Sequence, residues 1–366
     1  MKKLVFAVLA IGAMAACTKV SVQHEEPGEI SLQPVTTMST RVVSSTSYPT
    51  EVNFKVWAWH GAADASATPS YAGYTTEYIN EGEFAWRDNK NWGGYDSAAG
   101  KNQPYYWPTT GSLIFAGYSP AGATATSFAY DVATQKFTAE GYTQSNQIAG
   151  MNDLMWFDVD KSYSANPGTS DVAKGVPVVF HHALSWLTFK FNLKEEIAST
   201  SWTIKSVILT NIELKANFTS KPEGTSPCWT NHDVRGEISV YNNPSNTAPV
   251  SYNSGEVPLL NGQKDGVVVI PQLCVDGTDH PLVPDPAPML VITYDLVSPA
   301  GNTLTGQEVT LPLTTTNDPE DTSDDDNWLP GKHYTYTIIF GANEILISPT
   351  VASWTEVTET VNVENN

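Results

Sequence analysis

Four groups of side chains in this sequence have the types and spacing to do chemistry. The first is Ala15, Ala16 and Cys17, at the end of an apolar run from Leu4 to Met14 that follows two lysines. A thiol placed there is a substrate for acylation, as in a bacterial lipobox, where the cysteine carries the lipid and becomes the mature N-terminus. The alternative is an ordinary secretory signal with an incidental cysteine, and either way the chain is exported. The second is Arg41 ahead of Val42 and Val43. It reads as a solvated arginine in a linker, or as a trypsin-type scission site if something must remove the segment before it. The third is the tandem His181 and His182. In a strand the two rings point to opposite faces, whereas a metal needs three or four converging groups, so packed or hydrogen-bonded histidines are expected. The fourth is the acidic run Asp318, Glu320, Asp321, Asp324, Asp325 and Asp326. It lacks the spacing and the glycine of a calcium loop and reads as a solvated loop. The sequence holds no nucleophile elbow, H-E-x-x-H, phosphate-cradling glycine loop or paired C-x-x-C. The expectation is therefore a protein that is not an enzyme, with no catalytic residue, metal site or cofactor.

The composition agrees with export. Of 366 residues, 19 are basic and 39 acidic, a net charge of -20. That charge argues against nucleic acid as a partner, since phosphate neutralisation needs a basic surface, and it favours solubility at a crowded cell surface. Residues 1–17 are too short to span a bilayer, and no other run approaches the ~18 apolar residues of a membrane helix. Contact with a membrane is expected only through the lipid on Cys17. Of the three cysteines, Cys228 and Cys274 remain. An oxidising compartment permits them to pair, and two separately buried thiols fit the sequence equally.

The elements that must position these groups read as strands throughout. Residues 18–41 form a polar tether with one strand pattern, Ile30, Leu32 and Val35 after Pro34. From residue 42 onward short alternating runs follow one another. They include 52–59, 112–118, 153–158, 176–180, 184–193, 204–214, 238–241, 266–270, 289–296 and 308–313, more than one β-sandwich holds. The linker-like stretch 166–175 places a division near residue 176, giving sandwiches over 42–176 and 177–354. The aromatic-rich region 60–103 reads as loop-rich. Within it Trp86 and Trp92, set around Arg87, Asp88, Asn89 and Lys90, read as exposed and as a candidate adhesion or sugar-binding surface. The other large aromatics read as core. Residues 355–366 follow the last sandwich as a tail. Its strand pattern puts Val357, Val361 and Val363 on one face, with Glu359 the misfit there. Such a strand needs a sheet edge, in its own domain or in another molecule.

Four segments taken together resemble the fimbrillin-like proteins of Bacteroidales, the subunits of type V pili. They are Tyr105, Tyr106, Trp107, Pro108 with Phe115, Ala116, Gly117, Tyr118, Ser119, Pro120; then Asp153, Leu154, Met155; then Val178 to Phe189; and finally Val269, Ile270, Pro271, Gln272 with Trp328, Leu329, Pro330, Gly331, Lys332, Tyr334 and Tyr336. The resemblance implies an all-β fold of two transthyretin-like antiparallel β-sandwiches. It implies a lipoprotein precursor carried to the outer membrane, cut after Arg41 by a trypsin-like protease so that Val42 becomes the new N-terminus. The first strand is then lost and a C-terminal strand of another subunit fills its groove. Here that donor is the strand bearing Val357, Val361 and Val363, and the lost strand includes Ile30 to Val35. Partners implied are other pilus subunits, the maturation protease, and a surface glycan or protein to which the pilus adheres. The tail folding back on its own domain, and a sugar-binding surface lipoprotein needing no cut at Arg41, are the alternatives.

Overall fold

A computed structural model describes residues 28–36, 48–62, 71–87, 91–158, 162–163, 175–194, 199–221, 228–242, 249–250, 257–258, 266–272, 287–313, 327–341 and 345–353. Among these residues the chain is all-β, with two short 3-10 turns and no helix long and apolar enough to cross a membrane. Alternation in the sequence becomes alternation of burial. Val176, Val178, Phe180 and His182 are buried along one strand, with Pro177 and Val179 exposed between them. The next strand buries Ser185, Leu187, Phe189, Phe191 and Leu193. Each buried aliphatic or aromatic side chain contributes about 1.5–3 kcal/mol, so such a strand has one stable side to present to the core.

In chain order the first strands are β1 (Ser31–Thr36), β2 (Phe54–Gly61), β3 (Thr76–Arg87), β4 (Asn91–Asp96), β5 (Lys101–Asn102) and β6 (Ser112–Ser119). A hairpin, β7 (Ser127–Asp131) and β8 (Lys136–Thr143), follows, and then β9 (Met155–Asp158) and β10 (Val176–His182). The first sheet has the order β1-β10-β9-β6-β2-β3-β4-β5, and β1 also pairs with β4. Followed along its ladders, the sheet returns on itself, and β1 is the strand that joins the β4 edge to the β10 edge.

The remaining strands are β11 (Ser185–Leu193), β12 (Ser201–Thr219), β13 (Trp229–Asn242), β14 (Pro249–Val250), β15 (Val257–Pro258), β16 (Val267–Val269), β17 (Met289–Val297), β18 (Thr303–Pro312), β19 (Lys332–Phe340) and β20 (Ile345–Ser353). One sheet runs β15-β11-β19-β20 with β16 also on β11. The other runs β18-β17-β12-β8-β7, with β13 and β14 also on β12. The β7–β8 hairpin, from the first half of the chain, is thus hydrogen-bonded into a sheet of the second half. The long β12 serves two cores. Ile204, Val207, Leu209 and Ile212 lie in one, while Ala216 and Phe218 lie in the other beside Trp229.

Two expectations need amending. The sheets are not purely antiparallel, because β1 runs parallel to β10 and β11 parallel to β19. Both pairs join segments more than a hundred positions apart, so no hairpin fixes their direction. Region 60–103 is less loop-rich than expected: among its described residues β3 and β4 pair, with Phe84 facing Gly94 and Trp86 facing Trp92. Sheet membership changes between β10 and β11, so residues 177–182 stay with the first sheet.

Candidate functional site

The segment Gly28–Thr36 carries few residues and many partners. Gly28 O accepts from Trp107 N at 3.0 Å, and Ile30 N donates to Tyr105 O at 2.7 Å. Ser31 and Leu32 then pair antiparallel with Gly93 and Trp92 of β4. From Leu32 to Thr36 the strand pairs parallel with Val176 to Phe180 of β10. Side chains of Ile30 and Leu32 are 0% and 1% exposed, so the strand supplies both backbone partners and core. Gly175, at a φ of +96°, lets β10 begin against it, since a Cβ there would stand 3.1 Å from Ser31 Oγ and from the carbonyl carbon of Leu32.

Beneath β1 the slot has an aromatic floor. Tyr48 is 4% exposed, lies edge-on to Trp92 of β4 at 5.0 Å and stacks on Phe180 of β10 at 5.1 Å. Its hydroxyl bonds Ser119 Oγ at 2.6 Å, and burial pushes its pKa well above the ordinary phenol value. One tyrosine therefore spans the two strands that β1 joins, from the chain that enters just after β1. At the mouth of the slot Arg87, at the end of β3, donates to Gly94 O at 3.2 Å and to the Glu29 carboxylate. Sequence reasoning missed this pair. Glu29 and Arg87 are 58 positions apart, and the nearest signal was Gly93, which gives the guanidinium room.

Other expected groups fall out differently. Trp92 is not exposed: it is 5% accessible and packs on Tyr48 and Phe54, while Trp86 beside it is partly buried against the same core. The expected exposed surface at Trp86 and Trp92 is corrected accordingly, because cross-strand pairing puts both indoles on the core face. The aromatics that do face solvent nearby are Tyr78 and Tyr106, 38% and 50% exposed, with the Tyr78 hydroxyl donating to Tyr106 O at 2.7 Å. His181 lies tilted against Trp156 at 5.0 Å, whereas His182 is buried and bonds Asp153 Oδ2 at 2.8 Å, the opposite faces a strand gives them. Among the described residues no three His, Cys, Asp or Glu side chains converge as a metal site. Cys228 is a free, half-buried thiol whose pKa burial raises. Cys17, Arg41, Val42, Cys274, the acidic run 318–326 and the tail residues Val357, Val361 and Val363 lie outside the described residues.

Strand β1 is thus held on both edges, with an apolar face and a charge at one end. The fimbrillin-like family profile matches residues 40–354. A fimbrial protein from Bacteroides vulgatus ATCC 8482 shares the fold with a TM-score of 0.57 at 18% identity, covering 89% of this chain and 99% of that one. The fimbrilin of Porphyromonas gingivalis W83 aligns with a TM-score of 0.42 at 12% identity over 92% and 99%. The tip fimbrial protein Mfa3 of Porphyromonas gingivalis, with a C-terminal truncation, aligns with a TM-score of 0.36 at 9% identity over 89% and 98%. A search of curated protein sequences gave no match.

Proposed function

This chain belongs to the fimbrillin-like family, and from that premise we propose that it is a structural subunit of a cell-surface pilus, stalk or tip, assembled by exchange of its first strand. In this reading the precursor is exported and acylated on Cys17, reaches the outer membrane, and is cut after Arg41 by a trypsin-like protease. The cut leaves β1 without a covalent tie to β2. Its departure leaves the β4 and β10 edges unpaired and uncovers the floor around Tyr48. The tail strand bearing Val357, Val361 and Val363, from a neighbouring copy, then takes its place. Two transthyretin-like units and an adhesive role complete the proposal.

The observation that carries this reading is the position of β1. It joins β10, the last strand at one end of the sheet, to the Trp92–Gly93 stretch of β4 near the other end, where β5 pairs only with Tyr95 and Asp96. Buried backbone N–H and C=O groups must find partners, so a slot emptied of β1 is a template for another strand. A head-to-tail contact of this kind does not close on itself and propagates as a filament.

The test is assembly of the purified chain, residues 18–366, before and after brief trypsin treatment. A new N-terminus at Val42, with SDS-resistant ladders that vanish on deletion of residues 355–366, is the expected outcome. Cleavage without ladders under any condition would assign a tip or anchor role. An Arg41 that stays intact, together with binding to a glycan panel, would replace the pilus reading with a surface sugar-binding lipoprotein.

A further inference from the structure

Strand β1 satisfies more than two sheet edges: with Glu29 it also neutralises a buried cation. The Arg87 side chain is 5% exposed, and arginine cannot shed its charge. Its place is made by Gly93, where a Cβ would run into Nη2 and Cζ of the guanidinium. Close backbone approach of this kind is what a strand glycine provides. The partners of Arg87 are the Gly94 carbonyl, from its own sheet, and the Glu29 carboxylate, from the segment that leads into β1. Nε has no hydrogen bond among the described residues. When Gly28–Thr36 leaves, the carbonyl stays and the carboxylate goes. A purely apolar strand entering the slot would bury that guanidinium without a counter-charge, the costliest way to fill it.

We propose that Arg87 makes the vacated slot selective for a strand carrying a carboxylate, and that Glu364 of a second copy supplies it, with the tail running opposite in direction to β1. This rests on the strand-exchange reading above and fixes its register. The pattern to be replaced is an acid, Glu29, followed by the two fully buried positions Ile30 and Leu32. Residues 355–366 contain three acids, Glu356, Glu359 and Glu364. Laid in the direction of β1, Glu356 on the Glu29 position puts Val357 on Ile30 but Glu359 on Leu32, a carboxylate in the driest place. Laid the same way, Glu364 on that position puts Asn365 on Ile30. With the direction reversed, Glu364, Val363 and Val361 take the places of Glu29, Ile30 and Leu32. Asn362 and Thr360 then take those of Ser31 and exposed Gln33, and Glu359 falls on Pro34, which is only half-buried. The misfit Glu359 stays on the valine face but moves off the two fully buried positions to the half-buried place of Pro34. The incoming strand is antiparallel to β10 and parallel to β4.

The test uses the full chain cut after Arg41 and labelled synthetic peptides, read by fluorescence anisotropy. Peptide 355–366 should bind about tenfold or more weakly as Glu364→Gln, since one partner of a buried charge pair is removed, and within about threefold of wild type as Glu359→Gln. Peptide 28–36 should show the same loss as Glu29→Gln. An Arg87→Met acceptor should bind wild-type and Glu364→Gln peptides alike; because that variant can fail to fold, the peptide series alone decides. Tight binding of 355–366 indifferent to Glu364 overturns this inference and leaves strand exchange standing. Rebinding of 28–36 that depends on Glu29, with no binding of 355–366, keeps the carboxylate requirement but overturns both Glu364 and exchange by the tail.

Discussion

Single residues show most clearly where chemistry is set by packing. His333, on β19, faces Trp186 of β11 in register and stacks on it at 3.6 Å with an interplanar angle of 14°. Its Nε2 lies 3.0 Å from Thr188 Oγ1. Burial, helped by the Lys190 ammonium, lowers its pKa from 6.5 to about 4. The unfolded chain therefore binds a proton between those two values that the native chain refuses. Stability from this site is complete above pH 6.5 and is lost as the pH falls toward 4. With its partial solvent contact the effect amounts to about 2 kcal/mol. His333→Gln should remove that component of the pH dependence. The check is urea unfolding of both proteins at closely spaced pH values through the window, with the difference between them read as the histidine's share; parallel curves would refute it. Neither this histidine nor the Arg87–Glu29 pair was legible in the sequence. A side chain's partner across a parallel ladder, or 58 positions away, leaves no local spacing. The opposite faces of His181 and His182 were legible, because that follows from strand geometry alone.

At the scale of the element, β1 is the informative case. The alternation Ile30, Leu32 marked it as a strand with one apolar face, and the structure places both side chains in the core. Its partners were not readable, since β4 and β10 come from distant parts of the chain. Strands that alternate cleanly, such as β10, β11 and β19, were visible. β3 was hidden because Glu81 adopts a φ of 50° and the β2–β3 register slips on either side of Ala58, which breaks the period of two. The β7–β8 hairpin was hidden for another reason: its strand SFAYD is exposed at alternate positions and reads as polar loop. The burial of Leu32 yields a prediction at this scale. Leu32→Ala should destabilise the uncut chain by about 2–4 kcal/mol and, once Arg41 is cut, speed ladder formation, because β1 must leave before another strand enters. Gln33→Ala, on the exposed side of the same strand, should do neither. Urea midpoints and a time course of ladders after trypsin measure both effects, and equal time courses for the two variants would remove β1 exit from the rate-limiting step.

At the scale of the whole molecule the question is whether the chain behaves as two units or one. The linker-like stretch near residue 176 suggested two, and two hydrophobic cores are present. The sequence division near residue 176 is crossed by backbone hydrogen bonds, however, since Lys215 to Thr219 of β12 pair with Thr138 to Thr143 of β8. Side chains cross it too. Phe218, 2% exposed, sits 5.0 Å from the Trp229 ring and 6.1 Å from that of Phe137. The Trp229 indole donates to Ala183 O at 2.6 Å, at the junction of β10 and β11. A first half expressed alone would lack Phe218 and Trp229 from its core and would leave β8 an open edge. Domains that fold alone share few contacts across their boundary, which is not the arrangement here. The uncut chain should accordingly unfold in one calorimetric transition, with calorimetric and van't Hoff enthalpies equal. Phe218→Ala, costing about 3–5 kcal/mol, should lower that single midpoint without splitting it. Two resolved transitions in the wild type, or a variant in which only one half melts early, would show that the β8–β12 seam transmits little and that each core stands on its own.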